Sequence, residues 1–248
     1  MKRLSVLVVL LVNNVHAADL KYITVPDGYD IMSGNGESSY PFSILRATNT
    51  ARYQQVYAAS EFSAIPNGGL ITEMDFRVDE HYGGFVTTLP DIQINMSTTT
   101  KSPTSLSPVF SANIASDETI VFRRGQLSIA SEGVLHLLDI RVVFDVPFYY
   151  NPAAGNLLMD VRNYEGSPFS EPLAMAPEPF DAVLFSANPR LAAVYADSVN
   201  AAVGTYENTF GLVTQFVVTP VPEPTSLAVL FLGGAALAAH FRFRTARR

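Results

Sequence analysis

Carboxylates are the side chains from which this sequence has most material to build chemistry: 23 Asp and Glu stand against 16 Lys and Arg, with four histidines and no cysteine. Two carboxyl groups facing each other across a cleft can cleave a glycosidic bond, one as acid and the other as base or nucleophile. Asp139, Asp145, Asp160 and Glu165 fall on two consecutive segments with strand-like patterning. Alternation puts acidic residues on the solvent face of any such strand, so their presence does not designate a pair. His81, within Asp79-Glu80-His81-Tyr82-Gly83-Gly84, can form a carboxylate–imidazole pair in a turn. His136, within Leu135-His136-Leu137-Leu138, reads as a surface or half-buried strand position. No His-x-x-x-His spacing occurs, and the lack of cysteine removes thiol catalysis, iron–sulfur clusters and cysteine zinc sites. Neither Ser131-Glu132-Gly133 nor Ser33-Gly34-Asn35-Gly36 is a Gly-x-Ser-x-Gly elbow. On these grounds no catalytic residue and no metal ligand is designated.

Calcium is the one ion that the composition suits. A chain without disulfides must draw its stability from its core or from bound ions, and loop carboxylates with Asn oxygens suit Ca²⁺. Asp79-Glu80 and the stretch 151–156, with Asn151 and Asn156, are the places to look, although neither has EF-hand spacing. No cofactor is otherwise expected. Residues 18–220 carry 10 basic and 22 acidic side chains, a net charge of −12, which argues against nucleic acid and anionic membrane surfaces as partners. Tryptophan is absent, which weakens a reading as a module that stacks sugars on indole rings.

The last 28 residues have a different grammar. Val221-Pro222-Glu223-Pro224-Thr225-Ser226 opens them, an uncharged apolar run over 227–239 follows, and Arg242, Arg244, Arg247 and Arg248 close the chain. The prolines fix φ and favour extended backbone before them, so Glu223 sits in a stiff, accessible strand. The apolar run would make a helix roughly 20 Å long at about 1.5 Å per residue, shorter than the roughly 20 residues of a permanent anchor. Phe241 and Phe243 extend it toward bilayer thickness if the intervening arginines snorkel, and the arginines mark the cytoplasmic side. This three-part tail closely resembles the PEP-CTERM sorting signal of Gram-negative bacterial surface proteins. The resemblance is confined to the tail. It implies recognition by exosortase at Pro222-Glu223-Pro224, transient anchorage in the inner membrane, and release or transfer to the cell surface or beyond, usually in bacteria that make exopolysaccharide. The order of the three parts carries it, since Pro177-Glu178-Pro179 repeats the tripeptide without helix or arginines.

At the other end, Met1-Lys2-Arg3, an apolar stretch over 4–12 and Val15-His16-Ala17 have the order of a secretory signal peptide cleaved after Ala17. The expected organisation is a signal peptide over 1–17, an exported body over 18–220 and the sorting signal with its transmembrane helix over 221–248.

Strands must position whatever the body carries. Leu70, Thr72, Met74, Phe76 and Val78 alternate with Ile71, Glu73, Asp75, Arg77 and Asp79, which predicts one buried and one charged face. Ile92, Ile94 and Met96 repeat the pattern, as do Ile140, Val142, Phe144 and Val146, and then Leu157, Met159 and Val161. The stretch 134–146, long for one strand, and the return strand 156–163 read as the core hairpin, joined by the turn 151–155. The Ser/Thr/Pro stretch 98–108 reads as a solvated excursion, and 191–203 as either helix or strand. Short strands between Gly, Pro and Asn turns, with no repeat period, predict an all-β fold: an antiparallel β-sandwich of jelly-roll type followed by one C-terminal hydrophobic helix. The expected function is that of a surface or matrix protein, structural or adhesive and non-catalytic, in an exopolysaccharide or biofilm setting, with extracellular polysaccharide among its partners. The alternatives are a glycan-active hydrolase or lyase on the same sandwich, and a calcium-stabilised glycan-binding module.

Overall fold

The period-two segments do become strands. A computed structural model describes residues 19–42, 50–165, 180–185, 187–207 and 210–221. Among them the order is β1 (Lys21–Val25), β2 (Gly36–Ser38), β3 (Ala51–Tyr57), β4 (Gly69–Phe76), β5 (Phe85–Thr99), β6 (Thr119–Ser131), β7 (Ile140–Tyr150), β8 (Asn156–Asn163), β9 (Phe180–Leu184), β10 (Leu191–Ala196), β11 (Thr205–Glu207), β12 (Phe210–Leu212) and β13 (Thr214–Pro220). Helical structure in the described residues is limited to the short 3-10 segments Ala59–Phe62, Phe110–Ala112 and Pro152–Ala154. No described helix is long and apolar enough to cross a membrane. The expected signal peptide over 1–17 and the C-terminal helix over 227–239 lie outside the described residues.

Three antiparallel sheets result, with orders β1-β13-β4-β7, β11-β10-β3-β8-β5-β6 and β12-β9-β2. Aromatic side chains join the first two. Tyr57 on β3 meets Phe216 on β13 edge-to-face at 5.0 Å, and Phe62 packs 4.9 Å from Tyr150 and 5.4 Å from Phe216. The Tyr57 hydroxyl finds Thr214 Oγ1 at 3.0 Å, so its one polar atom is satisfied inside the core. Burial pushes its pKa well above the ordinary tyrosine value. A second trio, Phe42, Phe76 and Phe180, ties the small sheet to the same core.

The expected core side chains Met74, Phe76, Ile92, Ile94, Met96, Ile140, Val142, Phe144, Leu157, Met159 and Val161 are buried together. Leu70 is not: it is 42% exposed, and Ile71 takes the inward place. The cause is a bulge. Val217 pairs with Glu73 and Val218 with Ile71, leaving Thr72 as an extra residue in β4. An inserted residue reverses the phase of a strand, so the inward positions run Ile71, then Met74 and Phe76.

The hairpin expectation also needs correcting. β7 pairs with β4 in the four-stranded sheet, whereas β8 lies between β3 and β5 in the six-stranded one. The turn after Tyr150 crosses from one sheet to the other. It ends at Gly155, φ 149°, where a Cβ would sit 2.7 Å from the Thr99 carbonyl oxygen. Consecutive strands with matching alternation bury against the same core without being neighbours in one sheet.

Nor is 98–108 simply solvated. Leu106 and Phe110 fold back onto Val56, Leu158, Ala192 and Val194, covering the outer face of the six-stranded sheet. Polar groups beneath this flap are paired. Asp160 takes Arg52 Nη2 at 2.6 Å and Gln54 Nε2 at 2.9 Å, and Asn113 Nδ2 donates to Gln54 Oε1 at 2.9 Å. The Arg52 guanidinium also lies 4.6 Å from the Phe110 ring centroid. The alternative left open over 191–203 resolves as strand β10 followed by a turn. Phe110→Ala is expected to lower the unfolding free energy by about 3–5 kcal/mol, as for other buried aromatic truncations. Val86→Ala, at a position 85% exposed on β5, should change it by less than about 0.5 kcal/mol, both read from urea midpoints.

Candidate functional site

The C-terminal strand delivers the tail to one end of the four-stranded sheet. Pro220 pairs with Gly69, and Val221 donates its N–H to the Gly68 carbonyl at 2.9 Å. Val221 is exposed. The other sequence-designated residues, Pro222, Glu223 and Pro224 with Arg242, Arg244, Arg247 and Arg248, lie outside the described residues. β4 runs from Gly69 beside this exit to Phe76, so its far end is roughly 25 Å away at about 3.3 Å per residue.

The candidate carboxylates of the body are dispersed. Asp145 Oδ2 accepts from Arg123 N–H and Asp139 Oδ2 from Glu132 N–H, Asp160 belongs to the network under the flap, and Glu165 is exposed. Since β7 and β8 occupy different sheets, these groups do not face one another as a hairpin would require. His81 does form the expected pair, Nδ1 to Asp79 Oδ1 at 2.8 Å, and this hydrogen bond raises the imidazole pKa. Its ring is largely exposed, which makes it a turn-capping pair rather than an enclosed acid–base centre. His136 lies in a loop with φ 64°, not on a strand. Three of the oxygens considered for calcium have partners within the chain: Asp79 Oδ1 takes the His81 N–H, Asn151 Oδ1 the Ala153 N–H, and Asn156 Oδ1 the Ala59 N–H, while Glu80 is exposed. Among the described residues no group of three or more acidic or imidazole side chains is arranged to hold a metal ion.

Two acidic features escaped the sequence reading. Glu73 and Asp75, read there as solvent-facing, are both buried on the outer side of β4. Arg141, across the strand pair from Asp75, donates its Nε to Glu73 Oε1 at 2.7 Å. Asp75 Oδ1 is buried without a hydrogen-bond partner. Desolvation raises the Asp75 pKa to about 7, reinforced by the neighbouring Glu73 charge and hydrogen bond and opposed by Arg141. The second feature is a polar cavity of about 270 Å³ at the β1 edge, lined in part by Tyr22, Asp27, Asp30, Glu61 and Arg190. Glu61 is already held there by the Asp27 N–H at 2.8 Å and by Arg190 at 3.6 Å. The run Glu73-Asp75-Arg77-Asp79 was visible as alternate charges, but their burial comes from cross-strand neighbours that no local pattern reveals.

Residues 220–248 match the PEP-CTERM protein-sorting motif. The motif marks the chain as an exported protein sorted by exosortase. No curated protein and no solved structure matches the chain.

The Asp75 carboxyl yields a pH prediction. Its folded pKa is about 7 against an ordinary 3.8, so the folded state binds its proton more tightly than the unfolded chain does. The associated stability is fully present below about pH 4 and is lost as pH rises toward 7. Thermal melts from pH 4 to 8 should therefore show a falling component in the wild type that Asp75→Asn abolishes.

Proposed function

We propose that this chain is a surface or extracellular-matrix protein with a non-catalytic structural or adhesive role, delivered to the cell exterior by processing of its tail. The observation that carries the reading is the sorting-motif match over 220–248, the residues that follow directly on the last strand. Val221, Pro222, Glu223 and Pro224 form the element that exosortase recognises. Residues 227–239 form the transient inner-membrane helix, and Arg242, Arg244, Arg247 and Arg248 fix its orientation. The signal peptide over 1–17 starts export, and the body over 18–220 is the cargo. The strand order β1-β13-β4-β7 facing β3-β8-β5-β6 supports a jelly-roll sandwich, with β10 and β11 added at one edge. An exopolysaccharide or biofilm setting follows from the address, with polysaccharide as an extracellular partner.

A glycan-active hydrolase or lyase is the second reading, and the cavity bearing Asp27, Asp30 and Glu61 is the observation in its favour. Against it, Glu61 is tied to backbone and arginine within the chain itself. Reducing-end release from the host's own polysaccharide, lost in Asp30→Asn, would establish the enzyme in place of the matrix protein.

Mass spectrometry of the mature chain from its native cells decides the sorting mechanism. The C-terminal residue is expected near Pro222-Glu223-Pro224, with Arg248 absent. Replacing these three residues by alanine should leave a heavier protein in the membrane fraction, and removal of residues 242–248 should also impair processing. The same replacement at Pro177-Glu178-Pro179 should leave processing intact. A mature chain still ending at Arg248 would identify the tail as a permanent anchor.

A further inference from the structure

Three loops meet at the end of the four-stranded sheet remote from Val221, and Arg77 holds them together. Its buried guanidinium donates to Asp181 Oδ2 through Nε at 2.7 Å, to the His136 carbonyl through Nη1 at 3.2 Å, and to the Met32 carbonyl through Nη2. The two clamped carbonyls belong to loops that carry bare apolar side chains. Ile31 is 71% exposed, Met32 50%, Val134 52%, Leu135 60% and Leu137 42%. Folding alone gives no reason to hold five large apolar groups in water at one place.

The display is rigid rather than frayed. Leu137 N–H closes a turn on the Val134 carbonyl at 3.0 Å, and Glu132 N–H binds Asp139 Oδ2 at 2.6 Å. His136 occupies a left-handed conformation that L-residues adopt only at an energetic cost, and the Arg77 hydrogen bond to its carbonyl holds it there. Both the conformation and the clamp aim the flanking leucines outward.

The exposed charges carried by these three loops are carboxylates, and Arg190 approaches them from outside only beside Asp27 and Asp30. Asp30 is next to Ile31, Glu132 is two residues before Val134, and Glu80 lines a small concavity with Val134, Leu135 and His136. Glu37 on β2 stands in register with Asp181, the partner of Arg77. All four carboxylates are exposed. The stretches 26–37, 77–84 and 131–139 contain no basic residue except the buried, paired Arg77 and the histidines. A second copy would bring like charge against like, and an anionic bilayer would be repelled in the same way.

We propose that this tip is a docking surface for a cationic amphipathic protein segment, whose apolar face covers Ile31, Met32, Val134, Leu135 and Leu137 and whose Lys or Arg side chains meet the rim of Asp30, Glu37, Glu80 and Glu132. The tip lies at the opposite end of β4 from the tail, so membrane attachment leaves it clear. The proposal stands whether or not the tail is cleaved.

The absence of cysteine permits a direct test on the full chain. Gly83 has open space where a Cβ would be added, so Gly83→Cys can carry an environment-sensitive fluorophore beside the patch. The probes are an 18-residue Lys/Leu amphipathic peptide, its Glu/Leu counterpart, and zwitterionic vesicles. The Lys/Leu peptide should give a saturable response at micromolar concentration. Its affinity should fall at least tenfold in Leu135→Ser with Leu137→Ser, in Glu80→Gln with Glu132→Gln, and in 1 M salt. The substituted side chains are exposed, and an unchanged melting curve certifies each variant. No saturable response, an equal response to the Glu/Leu peptide, a response to vesicles alone, or a signal that tracks self-association of the chain in sedimentation would each overturn the proposal.

Discussion

A buried arginine must have every donor answered, and Arg77 imposes that requirement on one whole end of the molecule. Its side chain is almost wholly enclosed, as is that of Asp181, to which Nη2 comes within 2.6 Å. Removing one member of such a pair leaves an unpaired charge inside, a loss of about 3–5 kcal/mol. Asp181 also accepts the Gly34 N–H at 2.8 Å, and its own N–H reaches the Arg77 carbonyl. Burial raises the Asp181 pKa, and Arg77 and the Gly34 N–H pull it back. One ion pair thus fixes the end of β4, the start of β9 and the loops through Met32 and His136. Through the middle of the strands and toward the exit, the two larger sheets are joined without charge, by Tyr57, Phe62, Tyr150 and Phe216.

The two ends of β4 are held differently. Its exit end lies against Tyr150, which pairs with Gly69 and packs on Phe62. Its far end combines the Arg77–Asp181 ion pair with the packed rings of Phe42, Phe76 and Phe180. Between them the acidic pair Glu73 and Asp75 lies on the outside of the same strand, with one carboxylate oxygen unanswered. Beyond its bulge the strand therefore carries acidic side chains on its outer side and hydrocarbon on its inner side.

The tail was legible from sequence because its signal is local: order, charge and hydrophobicity within 28 residues. Strand existence was legible for the same reason, since Met74, Phe76, Ile140 and Val161 announce their faces by spacing. What could not be read was everything that depends on a distant partner. Glu73 becomes buried because Arg141 lies across from its strand, and Arg77 because Asp181 does, each far along the chain. The pairing of β7 with β4 instead of β8 is of the same kind. So is the flap over Val56 and Leu158: residues 98–108 are polar enough to look solvated, and Leu106 within them and Phe110 just beyond them betray an inner side.

The extra residue at Thr72 gives β4 two reading frames. Before it, odd-numbered residues face the core; after it, even-numbered ones do. In this strand a change of length by one residue is a change of side. Losing a single residue there would turn Ile71 to the solvent and Leu70 to the core on the exit half, while Met74 and Phe76 kept their places. The strand behaves as two short cassettes joined by a phase joint, so the sequence of one half can change without re-aiming the other.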